Sequence, residues 1–121
     1  MKIWKEFFIE AAHYLHSAPS GHPNSRIHGH SFRVRVTLEG QPDPDTGLIM
    51  HLGDLRAALE TVREKLDHRL LNEVEGLETG TIENMTKFIW DNAKPLLPLL
   101  AEVAVTRETC MEGCIYNGPS Q

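Results

Sequence analysis

The chain has 121 residues, 40% of them hydrophobic, and a net charge of −5 from 12 basic and 17 acidic side chains. That length suffices for one domain with a real core and not for two, so residues 1–121 read as a single domain. An acidic balance without a basic stripe argues against a nucleic-acid or membrane-surface binder. The start, Met1 to Glu6, has no apolar core of a signal peptide, and no apolar run approaches the ~20 residues of a membrane span. The expectation is a cytoplasmic protein. Only two cysteines are present, Cys110 and Cys114. A disulfide framework needs more, and Cys-x3-Cys is a weak metal signal, so both read as reduced small residues in or near a strand.

Residues 2–13 predict a strand with Phe7, Ile9 and Ala11 on one face and His13 in phase with them. Residues 14–27, with Pro19, Gly21, Pro23 and Asn24, read as a loop. Residues 28–40 predict a second strand, in which Phe32, Val34, Val36 and Leu38 share the parity of His28 and His30. Gln41 to Gly47 reads as a turn, from which the chain hairpins into Leu48-Ile49-Met50. A helix is predicted from Gly53 to Leu66, because Leu55, Leu59, Val62 and Leu66 recur at core-facing spacing. Asp67-His68-Arg69-Leu70-Leu71-Asn72 leaves it. A second helix starts near Thr81, a suitable N-cap, with Glu83 favourable in the first turn. Its apolar face is Ile82, Met85, Phe88 and Ile89, and Pro95 and Pro98 close it. Ala101 to Glu108 predicts a third long strand and Ile115-Tyr116 a short last one. The order ββ(β)ααββ implies an α+β fold, an antiparallel sheet with two helices on one face.

Five of the seven histidines fall between positions 13 and 30. An isolated His-x-His pair on a strand reads most simply as a polar sheet face. Here His28 and His30 share the parity of the buried face, where each imidazole has two nitrogens to satisfy. Ligation by His13, His28 and His30 resolves part of that cost. Three neutral imidazoles can hold zinc and leave a fourth, exchangeable position, as in catalytic sites. His16 and His22 read as loop residues at or near that site. Asp67-His68 is equally a solvated helix end or a base oriented by a carboxylate. Glu108 reads most simply as an exposed strand carboxylate; the alternative is recognition of an N–H-rich heterocycle through two hydrogen bonds.

Taken in order, these segments resemble the 6-pyruvoyltetrahydropterin synthase family, and within it the bacterial 6-carboxytetrahydropterin synthase branch of queuosine precursor synthesis. The resemblance runs from Phe8-Ile9-Glu10-Ala11-Ala12-His13 through Gly21-His22 and Arg26-Ile27-His28-Gly29-His30-Ser31-Phe32. It continues through Asp43-Pro44-Asp45-Thr46-Gly47, Leu66-Asp67-His68, Thr81-Ile82-Glu83-Asn84 and Ile89-Trp90. It ends with Glu108-Thr109-Cys110 and Gly113-Cys114-Ile115-Tyr116. It implies the tunnelling fold (T-fold), zinc on His13, His28 and His30, a catalytic pair His68 and Asp67, and a pterin ring anchored by Glu108. It also implies a homo-oligomer, trimer or hexamer, with sites between subunits. The implied reaction on a pterin triphosphate, 7,8-dihydroneopterin triphosphate, eliminates triphosphate and cuts the side chain in a carbon–carbon lyase step, yielding 6-carboxytetrahydropterin and acetaldehyde.

Two positions depart from that pattern. The family's proton-transfer cysteine falls at Asn24, whose amide cannot act as a base near neutral pH. His51-Leu52 stands where an acidic residue and an aromatic are usual. Asn24 supports an alternative: a diverged paralogue acting on another pterin, or binding zinc and pterin without turnover. Arg26 and Lys87 are candidate cations for the triphosphate, and the simplest reading of both is surface charge.

Overall fold

The computed structural model describes residues 1–16, 19 and 21–120. Alternation of apolar and polar residues produces two long strands, β1 (Lys2–His13) and β2 (His28–Glu39), paired antiparallel over their whole length. The remaining elements are α1 (Leu52–Arg63), β3 (Arg69–Leu70), α2 (Ile82–Ala93), β4 (Leu100–Arg107) and β5 (Glu112–Tyr116). Among the described residues the sheet order is β3-β1-β2-β4-β5. β4 and β5 continue it antiparallel, whereas β3 lies parallel to β1.

The period-2 face of the sheet and the stripes of the two helices meet in one core. Ile9, Phe32, Val34, Val36, Leu38, Val103 and Val105 from the strands are buried with Leu55, Leu59, Val62, Met85 and Ile89 from the helices. Cutting a fully buried side chain such as Phe32 back to alanine removes about 3–5 kcal/mol from such a core. The other sheet face carries exposed Trp4 and Phe8 and the ion pairs of Arg33 and Arg35 with Glu6.

Four boundaries differ from the sequence expectation. Leu48-Ile49-Met50 forms no strand. The Leu48 carbonyl instead accepts the Asp43 N–H, while the Asp43 carboxylate accepts the N–H groups of Asp45 and Thr46, so the segment closes on its own turn. The extra strand is β3, two residues whose brevity leaves no periodicity to read. It makes the sheet mixed rather than purely antiparallel. The α1 helix ends at Arg63, and residues 64–68 are turns that still bury Leu66. β4 ends at Arg107, so Glu108 opens a single 3-10 turn, Glu108–Cys110, and does not lie on the strand. Met111 then adopts a left-handed conformation (φ 53°) and the chain returns as β5. At Gly113 a Cβ would lie 2.8 Å from the Val105 carbonyl oxygen, so the close approach of β5 to β4 requires glycine there.

Candidate metal centre

The β1–β2 register sets His13 directly across from His28 and Ala11 across from His30. All three imidazoles therefore emerge on the helix-covered face at one end of the ladder. Their ring centroids form a near-equilateral triangle of 4.6, 5.0 and 5.0 Å. One ring nitrogen from each lies within 4.8 Å of the others. Phe32 floors the cluster, with its ring 5.4 Å from His30 and 5.9 Å from His13.

Hydrogen bonding fixes the tautomers. His13 Nδ1 lies 2.6 Å from the Gly80 carbonyl and His28 Nδ1 lies 2.8 Å from the Arg26 carbonyl. A carbonyl only accepts, so each Nδ1 donates and each Nε2 keeps its lone pair. This is the arrangement in which a ligating histidine is oriented by its second nitrogen. Among the described residues, His13 Nε2 and His30 Nε2 are both buried without a hydrogen-bond partner. A buried polar atom left unpaired costs about 1–3 kcal/mol, so two in one cluster fit a bound group that both atoms would contact. Burial lowers the pKa of His13, opposed by the Gly80 hydrogen bond and assisted by the charges of His28 and Arg107. Burial, with His13, Arg107 and His28, lowers that of His30 to about 4. Neutral imidazole is the form that binds a metal. Three convergent nitrogens, two of them orphaned and held neutral, fit a zinc ion with an open fourth position.

Asp67 and His68 lie at the β3 edge. Neighbouring residues ordinarily diverge, but His68 has a left-handed backbone (φ 58°), which turns its ring back so that Nδ1 donates to Asp67 Oδ2 at 2.8 Å. The His68 N–H donates to the Glu10 carbonyl, the Glu10 N–H donates to Asp67 Oδ1, and Arg63 Nη2 donates to Asp67 Oδ2 at 2.9 Å. Burial opposes ionisation of Asp67, yet the hydrogen bonds from Glu10 and His68 and the Arg63 charge together hold its pKa below the usual carboxylate range. His68 is well exposed and, with Lys65, Arg69, Phe88 and Asn92, lines a cavity of about 640 Å³ that includes none of the three clustered histidines.

The other expected residues stand apart. Glu108 is ion-paired with Arg33, a side chain of the opposite sheet face. Asn24 is exposed in the 3-10 turn Pro23–Ser25; its N–H donates to His22 Nδ1 and its carbonyl accepts the Leu15 N–H. Among the described residues, no hydrogen bond or ion pair joins Asn24, Glu108 or His68 to the histidine cluster. His51 stands at the N-cap of α1 without a side-chain capping hydrogen bond. Lys87 pairs with Asp91, and the Cys110 and Cys114 thiols are free. Sequence reasoning missed Arg107, whose charge reaches both His13 and His30. Its parity with Val103 and Val105 was the available signal.

Residues 2–119 match the protein family described as 6-pyruvoyl tetrahydropterin synthase. The human 6-pyruvoyl tetrahydrobiopterin synthase is 32% identical over 123 residues, spanning 97% of this chain and 83% of its own length. The 6-carboxy-5,6,7,8-tetrahydropterin synthase of Synechocystis sp. is 37% identical over 125 residues, spanning 97% and 93%. The solved structure of Caenorhabditis elegans 6-pyruvoyl tetrahydropterin synthase superposes with a TM-score of 0.88 at 27% identity, covering 98% of this chain and 96% of that one.

Proposed function

The chain belongs to the 6-pyruvoyl tetrahydropterin synthase family of pterin-processing enzymes, and from that premise we propose that it is a zinc-dependent lyase of the 6-carboxytetrahydropterin type. Its fold is the T-fold of that family. The proposed substrate is 7,8-dihydroneopterin triphosphate and the products 6-carboxytetrahydropterin, acetaldehyde and triphosphate, in the cytoplasmic supply of queuosine precursors. Residues 1–121 serve as one domain. The observation that carries the reading is the histidine triangle with two buried, unpartnered Nε2 atoms.

His13, His28 and His30 hold the metal, which when bound supplies Lewis acidity toward the side-chain oxygens of the substrate. His68 moves protons at Nε2, because its Nδ1 is committed to Asp67. Asp67, itself held by Arg63 and the Glu10 N–H, fixes the ring and offsets the charge the imidazole gains. Glu108 accepts two hydrogen bonds from the amino and N–H edge of the pterin, exchanging its ion pair with Arg33 for the ring. The separation of the histidine cluster, His68 and Glu108 within one chain supports a site assembled between copies, in a trimer or hexamer.

Asn24 favours a second reading. It occupies the position where the family carries its proton-transfer cysteine, and its amide supplies neither acid nor base. The chain is then slow on this substrate, or binds zinc and pterin for another reaction. Product analysis after incubation with 7,8-dihydroneopterin triphosphate separates the two. The lyase reading expects 6-carboxytetrahydropterin and acetaldehyde, with the rate raised by Asn24→Cys toward the ~10²–10⁴-fold a positioned acid or base contributes. An Asn24→Cys variant as inert as the natural chain overturns it.

A further inference from the structure

We infer that Arg107 forms a carboxylate-binding subsite beside the histidine cluster, so that an anionic ligand group sits between the metal position and a guanidinium fork. Arg107 closes β4 in phase with Val103 and Val105 on the helix-covered face, and its side chain is 17% exposed. The β2–β4 register pairs Arg33 with Thr106, so one step on Arg107 comes abreast of Phe32, the floor of the cluster.

The donors of this guanidinium are underused. Nη2 contacts Glu112 Oε1 at 2.8 Å across the β4–β5 pair, whereas Nε is buried with no hydrogen-bond partner among the described residues. Among the described residues, four buried side-chain atoms lack a hydrogen-bond partner. Three are His13 Nε2, His30 Nε2 and Arg107 Nε; the fourth, Arg35 Nε, belongs to a side chain stacked over Trp4 on the opposite face. The imidazole lone pairs call for a cation and the guanidinium N–H calls for an acceptor. A divalent metal and a guanidinium side by side leave a local excess of positive charge that an anion between them relieves. A planar fork matches a carboxylate in geometry. Half-exposed Glu112 already offsets part of the charge, which suits a singly charged carboxylate better than a polyphosphate.

The pterin-lyase reading supplies only the ring that bears this carboxylate; the subsite itself rests on Arg107. The zinc-loaded protein is titrated calorimetrically with 6-carboxypterin and with 6-hydroxymethylpterin, for the natural chain, Arg107→Met and Arg107→Lys. The carboxylated pterin is expected to bind the natural chain at least tenfold more tightly. That preference should vanish in Arg107→Met and survive in part in Arg107→Lys, with zinc content unchanged. An unchanged preference in Arg107→Met, or an equal loss for both pterins, overturns the inference. Arg107→Met/Glu112→Gln is measured alongside, so that an unpaired Glu112 carboxylate is not mistaken for the effect. If neither pterin binds the natural chain, the pterin reading fails and acetate decides the subsite. A saturable shift of the Arg107 Nε–H resonance on adding acetate supports it, and a resonance indifferent to acetate overturns it.

Discussion

Replacing His30 by leucine should act in opposite directions on the metal-free and the zinc-loaded protein. His30 Nε2 is buried, unpartnered and packed 5.4 Å from Phe32. In the metal-free chain that atom costs about 1–3 kcal/mol, and a leucine of similar volume against Phe32 removes the cost. For a chain of this size, 1 kcal/mol moves Tm by roughly 3–6 °C, so metal-free His30→Leu should melt a few degrees above the natural chain. Zinc reverses the order. At free zinc of about one hundred times Kd, binding stabilises the natural fold by about 2.7 kcal/mol, and His30→Leu, lacking a ligand, should lose most of that rise. Differential scanning calorimetry with and without zinc reads both effects, and metal analysis gives the stoichiometry. His28→Ala is the companion variant: its imidazole Nδ1 donates to the Arg26 carbonyl, so its loss tests ligation from the other strand position. Full zinc retention in both variants, or an undiminished zinc-induced rise in Tm, would refute the reasoning.

The same burial predicts an acid response of the metal-free protein. Its His30 stays neutral down to about 4, whereas the unfolded chain takes up that proton near the ordinary 6.5. Between these values the unfolded state binds more protons, so stability falls as pH drops from about 6.5 to about 4; urea titrations across that window should show the slope shrinking in His30→Leu. Glu108→Gln replaces an acceptor by a donor and should weaken pterin binding at least tenfold, at roughly 1.5–3 kcal/mol per charge-assisted hydrogen bond. Zinc content should stay constant, and unaltered affinity in a calorimetric titration removes the assignment. The chain should also run as a homo-oligomer larger than a dimer in light scattering, since β3 and β5 leave sheet edges to be paired; a monomer at working concentration counts against it.

Elements with a strong period were legible in the sequence. β1, β2, α1 and α2 lie where alternation or helical spacing put them, because burying one face decides both register and pitch. The parity of His28 and His30 with Phe32 carried the histidine cluster for the same reason. What was not legible depends on single conformations. β3 exists because the His68 N–H and the Asp67 carboxylate pair with the backbone of Glu10, a contact between residues 57 or more positions apart with no local pattern. The Asp67–His68 interaction hangs on one left-handed residue, and nothing in the identity of a histidine announces φ 58°. Leu48-Ile49-Met50 has a strand's composition, but the segment before it closes on Asp43, whose carboxylate accepts the Asp45 and Thr46 N–H groups and whose own N–H donates to the Leu48 carbonyl.

The placement of the site residues bears on why the chain should need copies of itself. The histidine cluster lies on the helix-covered face, the Glu108 carboxylate is drawn to Arg33 on the other, and His68 faces a separate cavity at the β3 edge. If these three parts serve one reaction, as proposed, symmetric association can join them by bringing the edge of one copy to the cluster of the next. Complementation follows from that geometry. His68→Ala keeps the histidine cluster and His30→Leu keeps His68, so each alone is inactive. In a randomly mixed assembly about one quarter of the junctions pair an intact cluster with an intact His68. Co-refolding the two variants should therefore restore about a quarter of the natural rate, while mixing them without subunit exchange should restore none. A co-refolded mixture as inactive as its components would mean that the cluster and His68 act within one chain or in unrelated sites.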